Sequence, residues 1–345
     1  LPFEPSTLVV VDTNENALAE LTRDLRSTKG MYIPKDYIPY PMDFASDVFE
    51  KMFRKRSGFD IIGNFSAHKH VRSEKDIYSI EALLQNNVLH AKKLLDLLVE
   101  FPPEEYFCVS TDKAANPVNI MGASKRIMED VIFSYSDKFP VKTARFANVA
   151  FSNGSLPSGF LERLHKLQPI SAPSDVRRYF VSPEESGQIC MLACMLGENR
   201  EIFFPRLNEK QMMTFDQIAT ELLQEHGYEV LECESDAEAI DRSQDLKNGS
   251  NLYPVHYSGS NTSGEKAFEE FYTDSENVDL KRMKTLGVVV DKALPDSEKI
   301  KVLFDKLTKE FEKAEPTKTE VISVIKEYLP NFEHIETGKS LDSKM

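Results

Sequence analysis

Short apolar runs alternate with amphipathic segments through the first half of this 345-residue chain. Residues 8–11, 60–65 and 106–109 are runs of the length and composition of buried strands, whereas residues 16–27 and 80–99 carry apolar side chains at helical spacing. A strand-and-helix alternation of this kind predicts an α/β fold with a doubly wound parallel sheet.

A cluster of polar residues follows the run at residues 106–109. Ser110-Thr111-Asp112-Lys113 therefore lies at the carboxyl end of a predicted strand, where open α/β sheets bind their ligands. Met121-Gly122-Ala123-Ser124-Lys125 begins eight residues after Lys113, and a helix is predicted to start near Gly122. An acid, two lysines and several hydroxyl groups so close together predict a catalytic or binding site.

The pattern changes after residue 151. Two capping boxes, Ser182-Pro183-Glu184-Glu185 and Thr214-Phe215-Asp216-Gln217, predict the starts of two helices, and residues 228–233 are typical of a strand. The polar stretch 241–262 is interpreted as a loop, and the chain is predicted to be charged and helical from about Ser275. We therefore predict three regions, which are residues 1–150, residues 151–275, partly interleaved with the first, and a helical C-terminal extension over 276–345.

Composition narrows the possible partners. The formal net charge is −14, which disfavours nucleic acid or an anionic membrane as the main partner because both attract clustered Lys and Arg. No apolar run approaches the roughly 18–20 residues that span a bilayer, and no signal peptide is visible. The four cysteines have no CxxC spacing, so we predict no metal site and free thiols in a reducing, cytoplasmic compartment.

Ten further groups of residues, in order along the chain, form a recognisable pattern. They are Asp12 with Asn14-Glu15-Asn16; Asp43; Ser66-Ala67-His68-Lys69-His70-Val71; Asn86-Asn87-Val88; residues 109–117; residues 119–126; residues 144–149; Ser152-x-Gly154-Ser155; Arg178-Tyr179-Phe180; and Gly264-Glu265-Lys266. With this pattern, over roughly residues 8–275, the chain resembles the nucleotide-sugar 4,6-dehydratases of polysaccharide biosynthesis, in particular those acting on UDP-N-acetylglucosamine. These enzymes are extended short-chain dehydrogenase/reductases with a Rossmann-like fold. The resemblance implies that residues 1–150 form a dinucleotide-binding domain, incomplete at its N-terminus, and that residues 151–275 form a substrate-binding region.

The resemblance implies a role for each matched residue. Asp112 and Lys113 would be the acid and the base of the dehydration, Thr111 would hydrogen-bond the carbon-4 oxygen, and Lys125 would bind the cofactor ribose and stabilise the ketone. Met121 occupies the position of the family's tyrosine base, so Asp112 or a bound water would have to accept the proton of the 4-hydroxyl. The implied cofactor contacts are Asp12, Asp43, Ser66, Asn87 and Lys125. The implied substrate contacts are Lys69, Asn148, Ser155, Arg178 (or its neighbour Arg177), Glu265 and Lys266.

The implied cofactor is NAD rather than NADP. A carboxylate at Asp12 accepts hydrogen bonds from ribose hydroxyls and repels a 2′-phosphate. The family's glycine-rich turn, G-x-x-G-x-x-G, is missing from the sequence, which begins at what would be the second strand. We therefore expect a segment before Leu1 that supplies the first strand and this turn.

Two alternatives remain open at this point. The first is a nucleotide-sugar epimerase of the same fold, although an epimerase would normally carry tyrosine at position 121. The second is a non-catalytic scaffold or regulatory member of the family, for which the missing turn is the support. In each case we expect a homo-oligomer.

Overall fold

The computed structural model describes residues 1, 3–259 and 270–335 of the chain. In its first half, strands and helices alternate as the sequence predicts. The elements in order are β1 (Thr7–Asp12), α1 (Glu15–Ser27), β2 (Asp36–Pro41), α2 (Asp47–Arg56), β3 (Ile61–Asn64), α3 (Ile77–Leu84), a π-helical turn (Gln85–Leu89), α4 (His90–Glu100), β4 (Glu105–Thr111), α5 (Ile120–Phe133) and β5 (Val141–Phe146).

The second half is less regular and contains shorter strands. Its elements are β6 (Asn148–Val149), α6 (Leu156–Lys166), β7 (Ile170–Pro173), β8 (Arg177–Val181), α7 (Pro183–Leu196), β9 (Glu201–Pro205), β10 (Met212–Thr214), α8 (Phe215–Glu225), β11 (Glu229–Cys233), α9 (Asp236–Arg242), β12 (Leu252–Ser258), β13 (Asn277–Asp279), β14 (Leu286–Val290), α10 (Ser297–Phe311) and α11 (Lys318–Tyr328).

The main sheet has six strands in the order β13-β14-β9-β5-β4-β3. Strands β3, β4, β5 and β9 run parallel, and β14 and β13 add to one end in antiparallel pairing. Strands β1 and β2 form a separate parallel pair, so one edge of β1 and one edge of β3 have no paired strand within the described residues. The predicted α/β class with a parallel, Rossmann-like sheet is confirmed.

A smaller unit is built around a second hydrophobic core. Its parallel sheet has the order β11-β12-β7, and helices α6 and α8 pack on it through Phe160 and Leu223. The interpretation of residues 241–262 as a loop is therefore wrong for residues 252–258, which form the central strand of this sheet. The buried side chains of Tyr253 and Val255 hold that strand in the core.

The region after residue 275 also differs from the prediction of helix alone. Residues 277–279 and 286–290 are strands that extend the main sheet, because the run Leu286–Val290 is apolar and buried against β9. The helical part begins only at α10. Helices α10 and α11 then pack on the main core through Leu303, Leu307 and Ile325. Within the described residues, no helix combines the length and the apolarity that crossing a membrane would require. The division into regions at residues 150 and 275 stays a prediction.

Candidate functional site

A cavity of 1320 Å³ lies where β4 ends and α5 begins. Its walls come from both hydrophobic cores: Val109 and Phe146 belong to the main one, and Leu156 and Phe215 pack on the smaller one. Seven of the predicted site residues line it. They are Lys69, Thr111, Lys113, Met121, Lys125, Asn148 and Ser155.

The end of β4 holds the acid and the amine of the predicted catalytic motif. The Asp112 side chain is only 5% exposed, and its Oδ1 accepts hydrogen bonds from the Thr111 hydroxyl at 2.6 Å and from the Lys113 backbone N–H at 2.9 Å. The Lys113 ammonium lies 3.2 Å from the same oxygen and lines the cavity. Asp112 is not among the lining residues. The Asp112 carboxylate therefore pairs with Lys113 without lining the cavity itself.

Helix α5 packs directly on this loop because position 122 is glycine. A side chain there would meet the Lys113 carbonyl oxygen at 2.6 Å, closer than a Cβ atom can approach. The Asn119 side chain caps the helix by accepting the Gly122 N–H at 2.7 Å. The Gly122 of the sequence motif therefore sets how closely Met121 and Lys125 approach Lys113.

Lys125 reaches back from α5 to β4. Its ammonium donates to the Val109 carbonyl at 3.0 Å, and the side chain is almost completely enclosed. Burial lowers the pKa of Lys125, an effect that the neighbouring Cys108 and Glu129 partly oppose. Met121, the residue in the tyrosine position, is buried against the same cavity and offers a thioether with no proton to exchange.

Lys69 belongs to the loop after β3, and the same loop is held rigidly by Asn87. The Asn87 side chain accepts the His68 N–H at 2.8 Å, donates to the His68 carbonyl at 3.0 Å, and donates to the Ser124 hydroxyl on α5 at 3.0 Å. Burial lowers the pKa of Lys69. Asn87 lies in the π-helical turn and is not a lining residue, so it connects the Lys69 loop to α5.

Two of the predicted cofactor contacts lie at the edge of the β1–β2 pair. Asp12 ends β1 and accepts the Asn14 N–H at 2.7 Å, and Asp43 follows β2 and accepts the Ala45 N–H at 2.8 Å. Both carboxylates are exposed at the carboxyl end of adjacent parallel strands. Ser66, the third, donates to Asn86 at 3.3 Å in the loop after β3.

Arg178 is not among the residues that line the cavity, and its predicted contact with substrate stays a prediction. The strand that carries it, β8, pairs with β6 and β10, and its buried guanidinium donates to the Arg177 carbonyl at 2.9 Å instead of lining the cavity. The guanidinium that lines the cavity belongs to Arg163 on α6, whose Nη1 donates to the Gly159 carbonyl. Arg163 carries no local motif, so its role could not be read from sequence. Glu265 and Lys266 lie outside the described residues.

A buried ion cluster lies next to Ser110 of β4. Arg145 on β5 makes two hydrogen bonds to Glu129 on α5, at 2.9 and 2.8 Å, and two to Glu276, at 2.7 and 2.8 Å. Glu129 also accepts the Ser110 hydroxyl at 2.6 Å. Burial alone would raise the pKa of Glu129, but the Arg145 guanidinium outweighs it and lowers that pKa. Ser110, the first residue of the motif, is thus hydrogen-bonded to a buried cluster of charged side chains.

A family model described as "Polysaccharide biosynthesis protein" matches residues 1–290. The chain belongs to this family. Among curated members similar to it are the capsular polysaccharide biosynthesis protein CapD of Staphylococcus aureus, 28% identical over 207 residues, and the probable polysaccharide biosynthesis protein EpsC of Bacillus subtilis, 27% identical over 233 residues. The matched parts cover 58% and 66% of this chain, but only 34% and 37% of those two proteins.

A third family relative covers most of both chains. It is the uncharacterized membrane protein MJ1061 of Methanocaldococcus jannaschii, 26% identical over 314 residues, or 88% of this chain and 84% of that protein. The three relatives come from two bacteria and an archaeon.

Solved structures confirm the family fold. Pen from Bacillus thuringiensis superposes with a TM-score of 0.67 at 15% identity, covering 88% of this chain and 91% of Pen. A dTDP-glucose 4,6-dehydratase, DesIV from Streptomyces venezuelae with NAD bound, superposes with a TM-score of 0.57 at 18% identity, covering 78% and 80% of the two chains. UDP-glucose 4-epimerase from Thermotoga maritima gives 0.53 at 14% identity, covering 77% and 82%.

Proposed function

We propose that this polysaccharide biosynthesis protein is an NAD-dependent nucleotide-sugar 4,6-dehydratase that acts on UDP-N-acetylglucosamine or a close relative. The observation that carries the proposal is the pairing of Lys113 with buried Asp112 at the end of β4, in one cavity with Lys125 and Met121. Elimination of water from a sugar needs a base and a proton donor held together at one place, and this pair provides both.

The dehydration breaks a carbon–hydrogen bond at carbon 5 and the carbon–oxygen bond at carbon 6, and it releases water. When bound, the nicotinamide would supply the oxidation at carbon 4 that makes the carbon-5 proton acidic and would return the hydride to carbon 6, while carbon 5 regains a proton, so that the net change is the loss of one water. The Lys113 amine takes that proton, and the ammonium so formed is stabilised by Asp112 at 3.2 Å and donates to the departing hydroxyl. Asp112 acts through Lys113, since it is not itself a lining residue.

The proton of the 4-hydroxyl needs a separate acceptor, because the Met121 thioether cannot take it. Lys69 is a better candidate than Asp112, since its side chain lines the cavity and its pKa is lowered by burial.

Replacement of Lys69 by methionine keeps the length of the side chain and removes its amine. We expect this variant to lose turnover while the Lys113 site stays intact, and a pH–rate profile whose acidic limb is unchanged in the variant would count against Lys69 as the base.

The cofactor site fits NAD in part. Asp12 and Asp43 present exposed carboxylates suited to the hydroxyls and amino group of an adenosine, and Lys125 would meet the nicotinamide ribose. The nucleotide released on denaturing the full-length protein tests this choice: NAD is expected, and NADP would overturn the role given to Asp12.

Activity is tested by incubating the full-length protein with UDP-N-acetylglucosamine and analysing the sugar nucleotide by mass spectrometry and NMR. The expected product has lost one water and carries a 4-keto-6-deoxy sugar. An epimer of unchanged mass would instead identify an epimerase, and an unchanged substrate with NAD bound would favour the non-catalytic alternative. The predicted homo-oligomer stays a prediction that light scattering in solution can check.

A further inference from the structure

Glu74, in the short helix before α3, lies between the catalytic helix and the C-terminal end of the described chain. Its Oε1 accepts the backbone N–H of Met121 at 3.0 Å, and its Oε2 lies 3.2 Å from Nε2 of His334. The side chains of Glu74 and His334 are only 9% and 7% exposed. The two contacts are therefore shielded from water, where such interactions are stronger than at a surface.

The contact with Met121 completes the cap of α5. The first N–H groups of a helix have no partner inside the helix, and they favour a negative charge nearby. Asn119 accepts the Gly122 N–H, and Glu74 accepts the Met121 N–H, so side chains from two separate segments satisfy two N–H groups of the first turn. That turn carries Met121 itself and leads to Lys125 one turn later.

Residues 331–335, here called the C-terminal strap, pack next to Glu74 and the start of α5. Phe332 is 3% exposed in the main core, and the Ile335 N–H donates to the Val118 carbonyl at 2.9 Å. The Lys318 ammonium at the start of α11 donates to the Glu74 carbonyl at 3.3 Å. The strap thus contacts both Glu74 and the loop that joins Lys113 to α5.

We propose that Glu74 and the C-terminal strap are a positioning device that fixes the start of the catalytic helix relative to Lys113. Neither part touches the cavity, so neither is a catalytic residue. The strap also lies beyond residue 290, where the family match ends, so the device adds a function to the C-terminal extension. The consequence for turnover rests on the proposed dehydratase activity, but the consequence for the helix start does not.

Hydrogen exchange of the peptide spanning residues 114–124 tests the device without any assay of activity. In Glu74→Ala, the Met121 amide loses its acceptor, and we expect faster exchange in this peptide. Glu74→Gln keeps an acceptor oxygen and should exchange more slowly than Glu74→Ala. His334→Ala should show an intermediate increase that His334→Gln, which retains a donor, largely reverses. Glu333→Ala is the matched control, because Glu333 is exposed in the strap.

Kinetics then separate positioning from general stability. We expect kcat to fall about 10- to 100-fold in Glu74→Ala at nearly unchanged KM, since misplacing a catalytic group by a small distance has effects of this size. Unchanged exchange in Glu74→Ala, or equal effects in Glu333→Ala, would overturn the proposal. Faster exchange in a protein that makes no keto sugar would support the device and reject only the proposed reaction.

Discussion

Arg145 and Glu129 form a doubly hydrogen-bonded ion pair in which neither side chain is exposed to solvent. The pair joins β5 to α5, and through Glu276 it also reaches the segment that enters β13. Three separate parts of the chain therefore meet at one guanidinium, and Glu129 connects them to Ser110 of β4.

Replacing Arg145 by methionine should destabilise the fold severely. The variant leaves Glu129 and Glu276 buried without their main partner, and removal of one member of a buried ion pair costs about 3–5 kcal/mol. The free energy of unfolding from urea titration is the measurement. Arg23→Met is the control, because the Arg23–Glu20 pair is 70% and 64% exposed and should contribute little. Similar losses in both variants would contradict the importance of the buried cluster.

Stability should fall in acid because of the same cluster. The Arg145 guanidinium holds the pKa of Glu129 and of Glu276 below 4.5, the usual value, although burial opposes it. A carboxyl whose folded pKa is lowered stabilises the protein fully above its unfolded pKa, and this contribution is lost as pH falls towards the folded pKa. At pH values below 4.5 the melting temperature should therefore decrease. Glu276→Gln should flatten this dependence, and an unchanged pH profile would count against it.

Lys113→Ala and Asp112→Asn should each abolish dehydration while the fold is retained. Loss of a proton-transfer group lowers rates by about 10²- to 10⁴-fold. The Asp112→Asn amide cannot stabilise the Lys113 ammonium, so its loss should approach that of Lys113→Ala. Formation of the 4-keto-6-deoxy product is the measurement, with circular dichroism as the control for folding. Turnover close to normal in both variants would refute the assigned roles.

Met121 should be a packing residue at the cavity and not a carrier of protons. Met121→Leu conserves volume and should keep most activity. Met121→Tyr should bring no large gain, because the site is arranged around another acceptor. A large loss in the leucine variant would show that the sulfur matters. A large gain in the tyrosine variant would show that the site simply lacks its usual base.

Asn87→Ala should loosen the loop that carries Lys69. The variant removes the Asn87 partner of both the N–H and the carbonyl of His68, and the net contribution of such a hydrogen bond is about 0.5–1.5 kcal/mol. Asn87→Asp keeps the acceptor for the His68 N–H but loses both donors, so its stability should be intermediate. Thermal unfolding ranks the stabilities of the wild type and the two variants, and equal stabilities would contradict the role given to Asn87 in this loop.

Much of the site was predictable because it is local in sequence. The strand, loop and helix that run from Ser110 to Lys125 lie in one continuous stretch, so their spacing alone brings Lys113, Met121 and Lys125 to one cavity. Glu74 and Arg163 were missed, since each reaches the site only through packing between distant segments. No periodicity or motif marks such residues in a single sequence.

The fold was predictable wherever strands are long and apolar. Strand β12 was missed because Pro254 interrupts it and a proline is rare in a central strand, yet the burial of Tyr253 and Val255 outweighs that preference. Strand β13 is only three residues long and carries Asn277 and Asp279. Its position depends on antiparallel pairing with β14, which local propensity cannot reveal.

Residues from both hydrophobic cores line the cavity, so a sugar nucleotide bound there would contact both cores. A ligand that contacts Lys113 on one side and Phe215 on the other would act as a shared packing element between the cores. Binding would then stabilise the smaller core most, because it would suppress the local unfolding of that core. With ligand bound, the two cores would unfold in one cooperative transition.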